Sequence, residues 1–278
     1  MLEHHGIEVS VSGIRKISLE SGEQAKDILE KEKPPLTETS PEQVTLEMDG
    51  VMVPVVEYKE SQDRRKTKKL HWKEMKVGAI QDPRWTQCKF ACSLQGADQL
   101  GDRLSVQMKR LVGTKIPFTH GVSDGATWIP EQGERISGSQ YHQLIDLYHF
   151  CEYLNVGFEG HEKKALMVER SKEEAKGGKM EKVLRRLRRW QKANPKHEGV
   201  ERCLKYIKNR PGQFEYAEAL KKDLPIGSGL IESTNRSLIQ KRLKIAGAWW
   251  LGRNADKIAQ LRTLRANGLW EELWENAA

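Results

Sequence analysis

The 278-residue sequence has no hydrophobic run long enough to cross a membrane, and its first residues lack an apolar signal core. A transmembrane helix needs about 20 mostly apolar residues. A secretory signal needs a shorter apolar segment behind a positively charged start. Both absences argue against a membrane-spanning or exported protein and predict a cytoplasmic one.

Metal-binding and redox signatures are also missing. The four cysteines, Cys88, Cys92, Cys151 and Cys203, are scattered, and the first two flank the strand-like segment TQCKFACSL. This spacing does not form a metal knuckle, so reduced, structural thiols are expected. The histidines make no H-E-x-x-H pattern or other paired metal spacing.

Two further motifs are absent from the segment IGSGLIE at 226–232. A nucleophile elbow places its serine between glycines at a different spacing. A phosphate-binding loop continues into Gly-Lys-Ser/Thr, which does not follow here. The segment therefore predicts neither of these two kinds of site.

What the sequence does have is positive charge. Its formal net charge is +8, while 37% of the residues are hydrophobic and 31% are charged. The apolar fraction is sufficient for a folded core. A basic balance favours a polyanionic partner, and nucleic acid is a better candidate than a membrane surface.

The N-terminal segment, 1–32, is predicted to be helical. Apolar stripes at 11–17 and 25–29 are separated by Gly22, which predicts two short helices. Such a pair resembles part of a helix-turn-helix unit that docks on DNA, and it fits a plain helical hairpin equally well. Residues 33–43, KPPLTETSPEQ, have the composition of a linker.

The next part of the chain, 44–159, is predicted to form a mixed α/β sheet. Segment 44–57 alternates like two strands around Asp49-Gly50, which is a hairpin signal. Other strand patterns occur near 76–80, in TQCKFACSL, over 116–123 and in YHQLI. A helical pattern over 96–112 lies between strands, and this order indicates a mixed sheet.

Acidic residues occur at three of the predicted strand ends, namely Asp49, Asp124 and Asp146. Asp49 and Asp124 are each followed by glycine, which lets backbone and ligand come close. Taken alone, an Asp-Gly pair is more often a turn than a ligand. Together with a third carboxylate, the two pairs form a candidate site for Mg²⁺, which prefers oxygen ligands.

Residues 160–224 are predicted to be a basic helical insertion. Twelve Lys or Arg residues occur between Lys163 and Lys192. The run LRRLRRW places Leu184 and Leu187 on one side of a helix and arginines on the other. The arginines are Arg185, Arg186, Arg188 and Arg189. Phosphate contact and simple solvation of a charged face are equally compatible with this pattern.

The C-terminal part, 225–278, begins with a glycine-rich turn and a long helical pattern. Glu232 lies near the start of this helix, and much of the rest is basic, with Arg236, Lys241, Arg242 and Lys244. Glu232 supplies the third carboxylate of the candidate site. It is also four residues from Arg236, and such a pair is usually a solvated salt bridge. The tryptophans at 249, 250, 270 and 274 are predicted to pack in the core or in an interface, not to serve as platforms for base stacking.

The segments EMDGVMVP, GVSDGATWI, LIDLYHFCEYL and LPIGSGLIEST followed by KRLKIAGAWW resemble, in this order, the DDE transposases of bacterial insertion sequences, in particular the ISKra family. The resemblance covers most of 44–270. It implies an RNase H-like fold with a helical insertion before the last acid. By the same resemblance, Asp49, Asp124 and Glu232 are the catalytic, metal-binding triad. Asp146 and His149 resemble a D-x-x-H signature that supports the site.

The expected activity is metal-dependent cleavage and transfer of DNA strands at the ends of an insertion sequence. Mg²⁺ or Mn²⁺ is the expected cofactor, with two ions, and the basic residues are expected to bind DNA. The expected partners are double-stranded DNA, as terminal inverted repeats and target, and further copies of the chain assembled on that DNA. No membrane partner is expected. Two alternatives remain: a truncated, inactive transposase that only binds DNA, and an RNase H-like nuclease without strand joining.

Overall fold

The computed structural model describes residues 9–33, 41–58, 68–82, 84 and 87–275. The strands within these residues are β1 Gln43–Tyr58, β2 Lys68–Gln81, β3 Cys88–Ser93, β4 Phe118–Ser123, β5 Tyr141–Ile145 and β6 Trp250–Leu251. The helices of the first half are α1 Val11–Glu30, α2 Ala97–Val112, α3 Trp128–Ser137 and α4 Leu147–Gly157. Those of the second half are α5 Lys164–Lys176, α6 Met180–Ala193, α7 Glu198–Lys208, α8 Tyr216–Lys221, α9 Gly229–Thr234, α10 Lys241–Leu243, α11 Gly252–Ala266 and α12 Trp270–Glu275. A 3₁₀ turn, Gly138–Gln140, precedes β5, and a π-helical segment, Asn235–Gln240, joins α9 to α10.

The strands form one mixed sheet in the order β3-β2-β1-β4-β5, and β6 pairs with β1. β1, β4 and β5 are parallel, and β3 is antiparallel to β2. The register of β1 with β4 runs from Gln43↔Phe118 to Glu47↔Val122. The predicted mixed α/β sheet is therefore confirmed.

The predicted hairpin at Asp49-Gly50 is wrong, because both residues lie inside β1, a single strand of 16 residues. Most of this strand is buried, including the consecutive residues Val44–Met48 and Val53–Val56, on either side of Asp49-Gly50. A strand buried on both faces reads as a continuous apolar run, and its burial outweighs the turn preference of Asp-Gly. Asp49 is consequently not at a strand end. Asp124 and Asp146 do follow β4 and β5 directly, as predicted.

The two short helices predicted around Gly22 are also wrong, since α1 is one continuous helix of 20 residues. Ser10 caps its start, and the Ser10 hydroxyl accepts a hydrogen bond from the Gly13 amide at 3.0 Å. A Cβ atom at Gly22 would lie 2.5 Å from the carbonyl oxygen of Lys257. Gly22 therefore allows α11 to approach α1 closely, and it does not break the helix.

Several other elements agree with the sequence patterns, although their bounds differ. α2 and β5 match the predicted segments, and β2 is much longer than the predicted strand near 76–80. Helix α3 and the short strand β6 were not predicted. The four cysteines form no disulfide, as expected. Among the helices that the structure describes, none has the length and apolar character needed to cross a membrane.

The chain divides into two compact units. The first unit comprises 1–40, 49–116 and 230–278, and the second comprises 41–48 and 117–229. In the first unit, side chains from β1, β2, β3, α9 and α11 share a core that includes Val53, Met75 and Ile231. A smaller cluster joins α1 to α11 and α12.

The core of the second unit runs from β5 and α4 into helices α5 to α8. Phe150 and Leu154 of α4 are fully buried in it, together with Val183 and Leu187 of α6. The part of the chain predicted as an insertion, 160–224, is thus helical and shares its apolar side chains with α4. Its predicted bounds remain a prediction.

Candidate active site

The first candidate acid, Asp49, is half-buried and lies in the middle of β1. Its Oδ1 accepts a hydrogen bond from the amide of Gly50 at 2.7 Å. Its Oδ2 accepts one from the side-chain amide of Asn235 at 2.7 Å. These two contacts fix the direction of the carboxylate, because ladder hydrogen bonds already hold the strand backbone.

Asn235 was not predicted as a site residue. It is 4% exposed, and its Oδ1 is buried with no hydrogen-bond partner in the part of the chain that the structure describes. It begins the π-helical segment, a rare form that occurs frequently at functional sites. One sequence signal could have found it: Asn235 falls on the same helical face as the apolar Ile231 and Leu238. A polar amide at such a position needs a partner.

The second candidate acid of the first unit, Glu232, is exposed and lies in the first turn of α9. It is three residues before Asn235, about one helical turn. The alternative salt bridge with Arg236 is not formed, because no ion pair within 4.0 Å joins these two described residues. The π-helical segment starts one residue before Arg236 and changes the α-helical spacing on which such a pair depends.

In the second unit, Asp124 lies in the turn that follows β4, and it is half-buried. Its Oδ1 accepts a hydrogen bond from the amide of Ala126 at 2.9 Å. Two side chains from the end of the helical region 160–224 hold the turn through its backbone. The Tyr206 hydroxyl donates to the Asp124 carbonyl oxygen at 2.8 Å. The Arg210 guanidinium donates to the Gly125 carbonyl oxygen at 2.6 and 3.1 Å.

These two contacts are reinforced by the surroundings of Tyr206. Its ring stacks on Tyr153 with centroids 3.6 Å apart, and the Arg210 guanidinium lies 3.9 Å from its ring centroid. Burial raises the pKa of the Tyr206 phenol, so the hydroxyl stays protonated and donates. Tyr206 and Arg210 were not predicted, because their partners are 82 and 85 residues away in sequence.

Gly125 has a backbone φ of +83°, which favours glycine. A Cβ atom there would lie 2.6 Å from Arg210 Nε and 2.7 Å from Ile145 Cδ1. The glycine after Asp124 is therefore required by the close approach of Arg210. The predicted Asp-Gly turn is correct here, whereas at Asp49-Gly50 the chain remains extended.

Asp146, predicted to support the site, is 1% exposed and caps the start of α4. Its Oδ1 accepts hydrogen bonds from the amides of Tyr148 and His149 at 2.6 and 3.0 Å. Its Oδ2 accepts from the amide and hydroxyl of Ser228 at 2.5 and 2.7 Å. Asp146 thus fixes the Gly227-Ser228-Gly229 turn, which ends directly before the segment that carries Glu232.

His149 has a different environment from Asp146. Its side chain is 41% exposed, and its Nδ1 lies 3.2 Å from a carboxylate oxygen of Glu152. Only its backbone amide contacts Asp146. Within the D-x-x-H segment, Asp146 therefore acts as the N-terminal cap of α4. The role predicted for the His149 imidazole stays a prediction.

The predicted metal ligands divide between the units, with Asp49 and Glu232 in the first and Asp124 in the second. Three carboxylates are a suitable donor set for Mg²⁺ or Mn²⁺. Among the residues with described coordinates, no group of three or more His, Cys, Asp or Glu side chains could hold a metal ion. The convergence of the three acids on metal therefore stays a prediction.

The predicted DNA-binding arginines of α6 do not share one environment. Arg185, Arg188 and Arg189 are exposed. Arg186 points into the helical region, where its guanidinium donates to Glu174 at 2.8 Å and to the Ser171 hydroxyl at 2.9 Å. The hydrogen bond from Arg186 holds the pKa of Glu174 below its ordinary value. Arg186 thus stabilises the packing of α6 on α5.

The predicted basic residues that follow Glu232 are all exposed, namely Arg236, Lys241, Arg242 and Lys244. No ion pair within 4.0 Å engages any of the four in the described part of the chain. Exposed cations without acidic partners are available to phosphates.

Comparison with known proteins does not identify a family. No protein-family model matches the chain, and no curated protein matches it significantly.

Proposed function

We propose that the protein is a DDE-type transposase that cleaves DNA strands at the ends of an insertion sequence and joins them to a target. One observation carries the proposal. Asp49 accepts a hydrogen bond from Asn235, a residue 186 positions away in sequence and one helical turn beyond Glu232. Two of the three candidate acids thus belong to segments that meet within the first unit.

The fold supports the same proposal at a coarser level. A mixed sheet with parallel central strands and surrounding helices is compatible with an RNase H-like fold. The third candidate acid, Asp124, follows one of these strands directly, and two unpredicted side chains fix its turn. A catalytic side chain has to be held in a fixed geometry by supporting residues, and Tyr206 and Arg210 hold the turn that carries Asp124.

In the proposed mechanism, Asp49, Asp124 and Glu232 would hold divalent ions of the Mg²⁺ or Mn²⁺ type. Such ions, when bound, activate an attacking oxygen and stabilise a leaving one in phosphodiester chemistry. Asn235 orients the Asp49 carboxylate, Tyr206 and Arg210 fix the Asp124 turn, and Asp146 fixes the turn before Glu232. Water would attack a phosphorus at the element end, and the P–O3′ bond would break to leave a 3′-hydroxyl and a 5′-phosphate. That 3′-hydroxyl would then attack a phosphorus of the target strand and displace the target's own 3′-oxygen, which leaves as a hydroxyl. On this proposal the protein acts in the cytoplasm, where it assembles as a dimer or larger oligomer on double-stranded DNA.

The exposed basic residues are proposed to hold the DNA backbone. Arg185, Arg188 and Arg189 provide three cations on one helix, and phosphate contacts of this kind carry no sequence information. Changing all three to alanine is expected to reduce the salt dependence of DNA binding by up to about 0.9 per lost contact. The matched control is Arg186→Ala, which should leave the salt slope unchanged because Arg186 is bound to Glu174.

The direct test uses the full chain and DNA that contains the sequences flanking its gene. With Mg²⁺ or Mn²⁺ present, the proposal predicts nicks at the element ends and products joined into a second duplex, and a chelator should abolish both. Cleavage without joined products would instead indicate an RNase H-like nuclease. Binding of the ends without cleavage would indicate a DNA-binding protein that has lost the reaction.

A further inference from the structure

Two tryptophan rings, one exposed and one half-buried, lie together on the first unit. Trp72 of β2 is 51% exposed, and its ring centroid lies 6.1 Å from that of Trp249. Single exposed apolar side chains are normal on protein surfaces. An exposed tryptophan in contact with a second indole forms a larger aromatic surface than a single side chain does. No catalytic role has been assigned to either residue.

The neighbouring Trp250 shows what a structural tryptophan looks like in this segment. It packs against the core of the first unit and pairs with Val55 of β1. Its indole Nε1 donates to the carbonyl oxygen of Leu243 at 3.1 Å. Trp250 therefore fulfils the predicted packing role, whereas the adjacent Trp249 contacts the exposed ring of Trp72.

Cations accompany these rings. Lys244 Nζ lies 5.7 Å from the ring centroid of Trp72, and Arg242 Cζ lies 4.8 Å from that of Trp250. A cation over an indole is attracted by the ring and remains able to contact a phosphate. We call Trp72, Trp249 and Lys244 the indole patch.

A second tryptophan pair in the same unit provides an internal comparison. Trp270 and Trp274 of α12 have centroids 5.7 Å apart, and Trp274 is 47% exposed. Their helix carries Glu271, Glu272 and Glu275, and the Arg265 guanidinium lies 5.7 Å from the Trp270 ring centroid. In the described part of the chain no cation lies over the Trp274 ring, and the carboxylates of its helix repel phosphate, so the local charge distinguishes Trp274 from the indole patch.

We propose that the indole patch binds unpaired bases of single-stranded DNA, with bases stacked on the indole rings and phosphates near Lys244 and Arg242. Base stacking on aromatic rings combined with a basic surface is how proteins bind single strands without sequence preference. The proposal deepens the proposed function and rests on it for the identity of the partner.

The test measures binding of the full chain to a labelled oligo-dT of about 15 nucleotides, a length within the range of single-strand sites, and to a duplex of matched length. Trp72→Ala is expected to weaken oligo-dT binding at least fivefold, roughly the effect of losing one stacked base. Binding of the duplex should change less than about twofold, because its bases are not available for stacking. The matched control, Trp274→Ala, should leave both affinities unchanged.

Two further measurements do not depend on the folding of the alanine variant. Trp72→Phe keeps an aromatic ring and should retain most of the oligo-dT affinity. In the wild-type protein, oligo-dT should quench tryptophan fluorescence, whereas inorganic polyphosphate should not. Absence of quenching by bound oligo-dT would overturn the proposal.

The remaining outcomes are equally informative. No binding of oligo-dT, or equal weakening for oligo-dT and duplex, would overturn base stacking at this patch. Unchanged oligo-dT binding together with loss of self-association in Trp72→Ala would show that the patch contacts a second copy of the chain. Trp72-dependent oligo-dT binding in a protein that never cleaves DNA would leave the patch standing and contradict the transposase proposal. If the wild type cleaves and joins DNA while Trp72→Ala leaves oligo-dT binding unchanged, the transposase proposal would stand and the indole-patch proposal would be overturned.

Discussion

Asp49 lies inside a strand of the first unit, whereas Asp124 lies in a turn of the second unit, and the contacts that hold them differ accordingly. The Asp49 carboxylate accepts a hydrogen bond from Asn235, so its side chain is held directly. At Asp124 the carboxylate accepts from the neighbouring Ala126 amide, and the contacts from distant residues go to the backbone, because Tyr206 and Arg210 donate to the carbonyl oxygens of Asp124 and Gly125.

The difference follows from the backbone freedom of the two positions. In a strand, ladder hydrogen bonds fix φ and ψ, and only the side-chain torsions remain to be set. In a turn, the backbone itself has to be fixed before the side chain has a defined direction. Both carboxylates have to point in one direction. At Asp49 a distant side chain donates to the carboxylate itself, and at Asp124 distant side chains donate to the carbonyl oxygens of the turn.

The largest expected effect comes from removing either charge. Asp49→Asn and Asp124→Asn should each slow DNA cleavage about a thousandfold or more, because an amide does not hold a divalent cation as a carboxylate does. Stability should distinguish the two variants. Asp49→Asn turns one of two accepting oxygens into a donor, so it loses the hydrogen bond from Gly50 or from Asn235 and should cost about 1 kcal/mol. In Asp124→Asn the amide oxygen can still accept from the Ala126 amide, and the contacts to the backbone stay intact, so the cost should be smaller. Single-turnover cleavage and urea unfolding measure both quantities. Cleavage by Asp49→Asn at the wild-type rate would remove Asp49 from the site.

The next effect concerns the side-chain donor of Asp49. Asn235→Ala should slow cleavage by about 10–100-fold, the usual cost of removing a residue that orients a metal ligand. Its unfolding free energy should change little, because removal of the buried, unpartnered Oδ1 offsets the lost hydrogen bond.

Asn235→Asp serves as the matched variant for this position. It has nearly the same shape as asparagine but places a second carboxylate beside Asp49. Like charges raise the pKa of one member of such a pair. Its cleavage rate should therefore recover with rising pH more steeply than that of the wild type. Full activity of both variants would mean that Asn235 only fills the interior.

The backbone clamp at Asp124 is tested by adding a methyl group to Gly125. Gly125→Ala combines a positive φ with contacts of 2.6 and 2.7 Å to Arg210 and Ile145. Gly160 has a φ of +75° with no atom within 4 Å of its Cβ position, so Gly160→Ala isolates the cost of the backbone conformation. That cost is about 1–2 kcal/mol, and Gly125→Ala should lose about 1–3 kcal/mol more. Equal losses in urea unfolding would show that Arg210 moves aside freely.

The smallest effect is expected for a single hydroxyl. Tyr206→Phe removes the donor to the Asp124 carbonyl oxygen and should lower the unfolding free energy by about 1 kcal/mol. Tyr153→Phe is the control, since the two rings stack at 3.6 Å and only Tyr206 donates to the turn. The control should have wild-type stability and cleavage rate. Equal losses in the two variants would show that the Tyr206 hydroxyl has no specific role in holding the turn.

Local sequence patterns predicted those parts of the fold that depend on neighbouring residues. The strand YHQLI, helix α2 and the positions of Asp124 and Asp146 after their strands follow from periodicity. The predicted hairpin at Asp49-Gly50 was wrong because the burial of β1 on both sides of this pair outweighs a local turn preference. The helix break predicted at Gly22 was wrong for a related reason, since the role of Gly22 is defined by Lys257, a residue far away in sequence.

The contacts that hold the candidate acids could not be predicted in this way. Asn235 and Asp49 are 186 residues apart, and Tyr206 and Asp124 are 82 apart. A pattern within one helix shows which face is buried but does not show which residue of a distant strand lies against it. The apolar neighbours of Asn235 would have indicated a buried amide without naming its partner.

The central claim is that Asp49, Asp124 and Glu232 hold divalent metal together, and uptake of Mn²⁺ measures it most directly. The free-ion signal in electron paramagnetic resonance would be followed while Mn²⁺ is titrated into the full chain with uncleaved DNA present. The account predicts that Asp49→Asn, Asp124→Asn and Glu232→Gln each lower the amount of bound Mn²⁺ relative to the wild type, whereas Arg188→Ala does not. Equal Mn²⁺ uptake by the wild type and all three acid variants would contradict it.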